Sequence, residues 1–115
     1  HFYRNFSPED YARLVNNSRC IVGNSSSGLR EGAFLGVPCV NVGSRQSGRE
    51  RAANVIDVPH DAAAIETAVR HQIAHGRYEP SPLVGDGSAG RRIADILATA
   101  PLSIHKRISY LADRA

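Results

Sequence analysis

Apolar residues in this chain come in short continuous runs separated by stretches at helical spacing, and the order of the two predicts the elements. Ser7, Pro8, Glu9 and Asp10 read as a helix start, with a hydroxyl cap, proline at the first helical position and acids in the first turn, so a helix is expected to about Asn17. Cys20 to Val22 is a short apolar run that enters the polar loop Gly23-Asn24-Ser25-Ser26-Ser27-Gly28, and Leu29 to Leu35 then reads as a short helix closed by Gly36. Pro38 to Val42 and Asn54 to Val58 are further strand candidates, separated by a Gly-, Ser- and Arg-rich loop that begins at Gly43 and reaches Arg51. Asp61 can cap a helix in which Ile65, Val69, Gln72 and Ile73 recur at helical spacing and which ends near Gly76. Tyr78 to Val84 holds two prolines and is expected to be irregular. Ser88 can cap a helix with Ile93, Ile96 and Leu97 on its apolar face, and Ile104, Ile108 and Leu111 mark a last helix. Short strands alternating with helices predict an α/β domain built on a parallel sheet.

Length limits what this pattern can build. The chain has 115 residues, 42% of them apolar, enough for one core, so one α/β domain over residues 1–100 with a helical tail at 101–115 is expected. It contains no methionine and opens on His1-Phe2-Tyr3-Arg4, which points to a piece of a longer protein. A net charge of +3 is spread over scattered Lys and Arg residues with no basic run, which argues against a nucleic-acid arm and for local anion sites. No apolar stretch approaches the length of a membrane span and no signal-peptide pattern opens the chain, so a soluble cytoplasmic protein without membrane contact is expected. Cys20 and Cys39 each sit in an apolar run and read as reduced core thiols. The Asn-x-Ser triplets at Asn5, Asn16 and Asn24 have no secretory context and carry no weight.

Several patterns imitate known chemistry. Gly23 to Gly28 has the glycine spacing of a phosphate-binding P-loop, but Leu29 and Arg30 stand where its lysine and Mg-binding hydroxyl are required. The same loop has Asn24 where a serine-hydrolase elbow places its first glycine before Ser26. Gly85 to Gly90 matches the spacing of a dinucleotide fingerprint, yet a proline-rich segment rather than a strand precedes it, so it reads as a turn and helix cap. His71 and His75 are spaced i, i+4, but no third ligand is nearby and a solvated helix face accounts for them. No metal or cofactor is expected.

One constellation does carry chemistry. The serine loop follows a strand and opens a helix, where backbone N–H groups and the positive helix end favour phosphate, and Ser25 and Ser26 add hydroxyl donors. The Gly43–Arg51 loop leaves the next strand at the same sheet edge and carries Arg45, Gln46 and Arg49, and the guanidinium forks of the two arginines suit a diphosphate. Glu31, in the helix after the serine loop, can accept from two adjacent ribose hydroxyls. Singly, a helix cap, a first-turn acid and solvated arginines explain each piece at least as well; a shared cleft requires them together.

Residues 21–31 (Ile-Val-Gly-Asn-Ser-Ser-Ser-Gly-Leu-Arg-Glu) and 36–49 (Gly-Val-Pro-Cys-Val-Asn-Val-Gly-Ser-Arg-Gln-Ser-Gly-Arg) resemble the C-terminal half of UDP-N-acetylglucosamine 2-epimerases, most closely the hydrolysing branch of sialic-acid synthesis. Asn54-Val55-Ile56 and Gly85-Asp86-Gly87 continue the likeness, which runs over about residues 6 to 97. The resemblance implies a Rossmann-like C-terminal domain of a glycosyltransferase-B-type fold, with UDP held mainly by this domain and the sugar in the cleft to a missing N-terminal domain. It implies that Ser25 and Ser26 hold the diphosphate, Glu31 the ribose, Arg45 a phosphate, and that Phe6 stands where the family places an apolar contact to uracil. It further implies a homo-oligomer, and a reaction whose acid and base lie upstream, so no catalytic residue is assigned here. A glycosyltransferase of the same architecture and a non-catalytic UDP-sugar-binding domain are the alternatives.

Overall fold

The computed structural model describes residues 1–101; the expected tail helix at Ile104, Ile108 and Leu111 lies outside the described residues. Helix α1 spans Pro8–Asn17, and Ser7 caps it by accepting from the Asp10 N–H at 3.2 Å. Strands β1 (Ile21–Gly23), β2 (Cys39–Val42) and β3 (Val55–Val58) follow, with the short helices α2 (Ser26–Leu29) and α3 (Glu31–Leu35) between the first two. Helix α4 (Ala62–His75), a 3-10 turn at Pro82–Val84 and helix α5 (Ala89–Thr99) complete the described chain.

The three strands form one sheet in the order β1-β2-β3, parallel throughout, with Ile21 opposite Cys39 and Val40 opposite Ile56. This is a parallel, Rossmann-like α/β arrangement. The strands begin one residue later than the apolar runs suggest. Pro38 has no N–H to give to the ladder, so β2 starts at Cys39 while the Pro38 carbonyl accepts from Ile21 at 2.8 Å. The central strand is buried at Cys39, Val40 and Asn41, and Val15, Leu29, Ala33, Val37 and Ala68 are the other buried apolar residues of the core.

Two expected helices differ from the structure. The helix expected from Leu29 begins at Ser26, because the Ser25 hydroxyl accepts from the Ser27 N–H and starts it directly after the loop. It then breaks at Arg30, whose backbone (φ −105°, ψ −77°) divides α2 from α3. Gly36 closes α3 in the left-handed region at φ 68°, and a side chain there would also overlap the Tyr78 carbonyl. In α5 the stripe of Ile93, Ile96 and Leu97 is not core: these residues are 56%, 64% and 59% exposed. Ser88 precedes α5 but makes no side-chain cap; its hydroxyl donates to Asp86 Oδ1 at 2.6 Å and closes a turn instead.

Cys39 is buried and Cys20 half-buried, and neither is in a disulfide. Burial pushes the Cys39 thiol up to about 12, with Cys20 and Asp57 adding in the same direction. A thiol that titrates higher when folded stabilises the fold fully below its ordinary value of 9.0, and that contribution is lost as pH rises through about 12. The stability of the domain is therefore expected to fall between pH 9.0 and 12, more steeply by about 1.4 kcal/mol per pH unit than in Cys39→Ala. Denaturation midpoints of the two proteins across that range check this.

Candidate functional site

The serine loop leaves the C-terminal end of β1 and the arginine loop leaves the C-terminal end of β2, so parallel pairing brings both to one edge of the sheet. They are joined there. Gln46 Nε2 donates to the Asn24 carbonyl at 2.7 Å, and Arg45 Nη1 reaches Asn24 Oδ1 at 3.4 Å. Gln46 is 3% exposed and functions as a pin between the loops, whereas Arg45 and Arg49 are exposed.

In the serine loop, Ser25 is the exposed cap of α2 and Ser26 is its half-buried first residue. Ser27 is buried, and its hydroxyl accepts from Tyr11 at 2.8 Å, tying α1 to the loop. The loop can approach the sheet this closely because Gly28 has no side chain: a Cβ there would overlap Cys39 Sγ. Asn54 secures the back of α2, its amide donating to the carbonyls of Gly28 at 3.1 Å and Val37 at 2.8 Å.

The arginine loop is braced from below. Arg51 Nε donates to Asp57 Oδ2 at 2.8 Å and Nη2 to Oδ1 at 3.2 Å, while its remaining N–H groups reach the carbonyls of Gln46 and Arg49. Buried Asn41 also donates to Asp57, so the carboxylate is anchored on β2 and β3 at once. Arg51, assisted by Asn41, holds the Asp57 carboxyl below its ordinary range.

A cleft of about 700 Å³ lies directly against the arginine loop, lined by Gly43, Ser44, Ser47, Arg51, Asp57 and His60, and two further clefts meet beside Arg30. One, of about 440 Å³, is lined by Leu29, Arg30, Gly48, Arg49, Glu50, Leu83 and Val84. The other is a more apolar groove of about 650 Å³ that contains Glu31 with Ala12, Phe34, Leu35, Gly85 and Gly87, and it meets the first at Arg30 and Val84. Of the residues singled out from the sequence, Ser25, Ser26 and Arg45 share the loop junction, and Glu31 faces the adjacent groove. Phe6 is half-buried beside the α1 cap, with the Tyr3 ring 5.0 Å away, and it lines none of these clefts. His71 is exposed and His75 stacks on Tyr78 at 4.0 Å. Among the described residues no group of three His, Cys, Asp or Glu side chains could hold a metal, and no helix is long and apolar enough to cross a membrane.

Sequence reading missed Gln46 as a pin, Arg51, Asp57, Asn54 and Tyr11. Asn41, a polar residue inside the apolar run Val40-Asn41-Val42, was a visible sign of a buried polar network.

The family model of the UDP-N-acetylglucosamine 2-epimerases matches residues 1–98. The chain is 44% identical over 93 residues to the UDP-N,N'-diacetylbacillosamine 2-epimerase (hydrolyzing) of Legionella pneumophila, covering 81% of this chain and 25% of that protein. It is 51% identical over 57 residues to the polysialic acid biosynthesis protein P7 of Escherichia coli, covering 50% of this chain and 15% of that protein. It is 29% identical over 92 residues to a UDP-N-acetylglucosamine 2-epimerase of Neisseria meningitidis, covering 77% and 24%. The chain thus spans about a quarter or less of the length of these relatives. With a match that takes in both polar loops and all three strands, the chain belongs to the UDP-N-acetylglucosamine 2-epimerase family.

Proposed function

We propose that this chain is the UDP-binding part of a hydrolysing 2-epimerase of glycosyltransferase-B-type architecture, acting on UDP-N-acetylglucosamine or a closely related UDP-2-acetamido sugar. The observation that carries this reading is the junction of the two loops, where Gln46 and Arg45 both meet Asn24 and bring the Ser25-Ser26 hydroxyls and an arginine to one sheet edge. That arrangement suits a diphosphate: short hydroxyls and backbone N–H groups permit close approach, and the guanidinium supplies permanent charge. Glu31 lines the groove that meets the Arg49 cleft at Arg30 and Val84, which supports a role in accepting from the ribose hydroxyls.

In the proposed reaction a base elsewhere in the full-length protein removes the proton at C2 of the sugar. The electron pair forms the C1–C2 double bond as the C1–O bond breaks, and UDP leaves with that bond's electrons. Water then adds, placing hydroxyl at C1 and a proton on the opposite face of C2, so that the free N-acetylmannosamine-type sugar departs. Negative charge grows on the leaving diphosphate in the elimination step. Arg45 and the serine-loop donors lower its barrier by meeting that charge with fixed dipoles and a cation. The Legionella relative, at 44% identity, is named for a diacetamido sugar, which favours testing that substrate beside UDP-N-acetylglucosamine.

Incubation of the full-length protein with either sugar nucleotide in deuterated water, followed by proton NMR, tests this. Free UDP together with a C2-deuterated, inverted sugar is expected. Transfer of the sugar to an acceptor would indicate a glycosyltransferase, and unchanged substrate with UDP bound would indicate a non-catalytic binding domain.

A further inference from the structure

We propose that Arg51 is a positioning residue, which through its fork to Asp57 and its bonds to the carbonyls of Gln46 and Arg49 holds the 43–51 loop in the shape that presents Arg45 to the diphosphate. The proposal rests on the UDP-binding reading above. Three features of the structure support it.

First, the loop has no regular structure of its own. It joins two parallel strands without a crossover helix, and its own backbone supplies two turn bonds, Ser47 N–H to the Ser44 carbonyl and Arg49 N–H to the Gln46 carbonyl, so its placement on the sheet depends on tertiary bonds. Second, Arg51 supplies those bonds from a single side chain: two to Asp57 and one each to the carbonyls of Gln46 and Arg49, both within the stretch from Arg45 to Arg49. A planar guanidinium with five N–H donors can satisfy a carboxylate through two bonds and two carbonyls in diverging directions at once. Third, the anchor is rigid. Asp57 lies on β3 and is also held by Asn41, which is fully buried on β2, and the other end of the brace is Gln46, whose amide pins the serine loop at Asn24. A continuous chain of bonds therefore runs from Asn41 and Asp57 through Arg51 and Gln46 to Asn24, beside Ser25 and Ser26. Arg51 is itself only partly exposed, its side chain at 25%, while Arg45 is free to meet a ligand.

A double-mutant cycle in the full-length protein separates positioning from direct contact. Arg45→Ala is expected to weaken UDP binding about tenfold or more in the wild-type background and less than about threefold when Arg51→Ala is already present, because the loop that presents Arg45 has lost its shape. Arg51→Lys keeps a charge opposite Asp57 but cannot make the carbonyl bonds at the same time, so it is expected to fall between wild type and Arg51→Ala. Hydrogen exchange should quicken at the amides of residues 44–49 in Arg51→Ala and stay unchanged in α4. Should Arg51→Ala fail to fold, Asp57→Asn takes its place in the cycle, with coupling of the same sign. Arg70→Ala, which breaks an exposed pair with Glu66, serves as the control and should leave UDP affinity intact. Additive losses from Arg45 and Arg51 would overturn the proposal and make Arg51 a direct ligand or a purely structural residue. A wild-type protein that binds no UDP would overturn the site reading itself.

Discussion

Replacing Gln72 by leucine is expected to destabilise the domain by about 2–4 kcal/mol, although leucine fills a similar volume. Gln72 lies on α4 and is fully buried beneath the sheet. Its amide donates to the carbonyls of Cys39 at 2.9 Å and Asn54 at 2.8 Å, and its Oε1 accepts from the Tyr78 hydroxyl at 2.7 Å. A leucine would remove all three bonds, each contributing about 0.5–1.5 kcal/mol, and would leave the Tyr78 hydroxyl without its acceptor on α4. The damage extends past α4, because the Asn54 carbonyl also accepts from the Cys39 N–H at 2.7 Å, the bond that opens the β2–β3 ladder. Denaturant midpoints followed by pulse proteolysis at sites in residues 36–78 measure the loss. Gln72→Glu separates size from bonding: it keeps the acceptor for Tyr78 but loses the donor to the two carbonyls.

Arg45→Ala is expected to raise the dissociation constant for UDP about 10- to 100-fold in the full-length protein, the loss that accompanies one or two charge-assisted hydrogen bonds of about 1.5–3 kcal/mol. Stability should hardly change, because Arg45 is exposed and its side-chain hydrogen bond among the described residues is the long one to Asn24. Salt dependence supplies a second readout: the variant should respond less to ionic strength than wild type, having one fewer cation at the site. Calorimetric titration checks the affinity and thermal unfolding checks the stability. A fall in turnover larger than the fall in UDP affinity would place more of the effect of Arg45 on the departing diphosphate than on its bound ground state.

Much of this architecture was legible because its signals are local. Ser7-Pro8 and Asp61 are caps whose partners lie within one helical turn, and α1 and α4 start where those residues place them. Gly36 ends its helix for an equally local reason. The start of α2 differs because three consecutive serines offer several possible caps, and in the structure it is the Ser25 hydroxyl that accepts from the Ser27 N–H. The exposed face of α5 has the periodicity of a core helix, and periodicity alone does not say whether a neighbour exists to cover it.

The site divides the same way. Serines beside a strand end and arginines in the next loop could be read directly, and the parallel register brings them together. The brace beneath them could not. Arg51 and Asp57 belong to no shared helix face or strand face, and their meeting depends on how the 43–54 loop folds back over β3. Asn54 looks from the sequence like an ordinary polar position at the edge of a strand, and Gln72, although it shares the helical spacing of Ile65, Val69 and Ile73, gives no sign of the carbonyls it meets until the sheet surrounds it.

Titration of the full-length protein with UDP, UMP and uridine under one set of conditions asks most directly whether the paired loops form a diphosphate site. Binding in the order UDP, then UMP, then uridine is expected, with the gap between UDP and UMP largely abolished by Arg45→Ala. Equal affinity for UDP and uridine, or a UDP preference untouched by Arg45→Ala, would contradict the assignment of these two loops to the diphosphate.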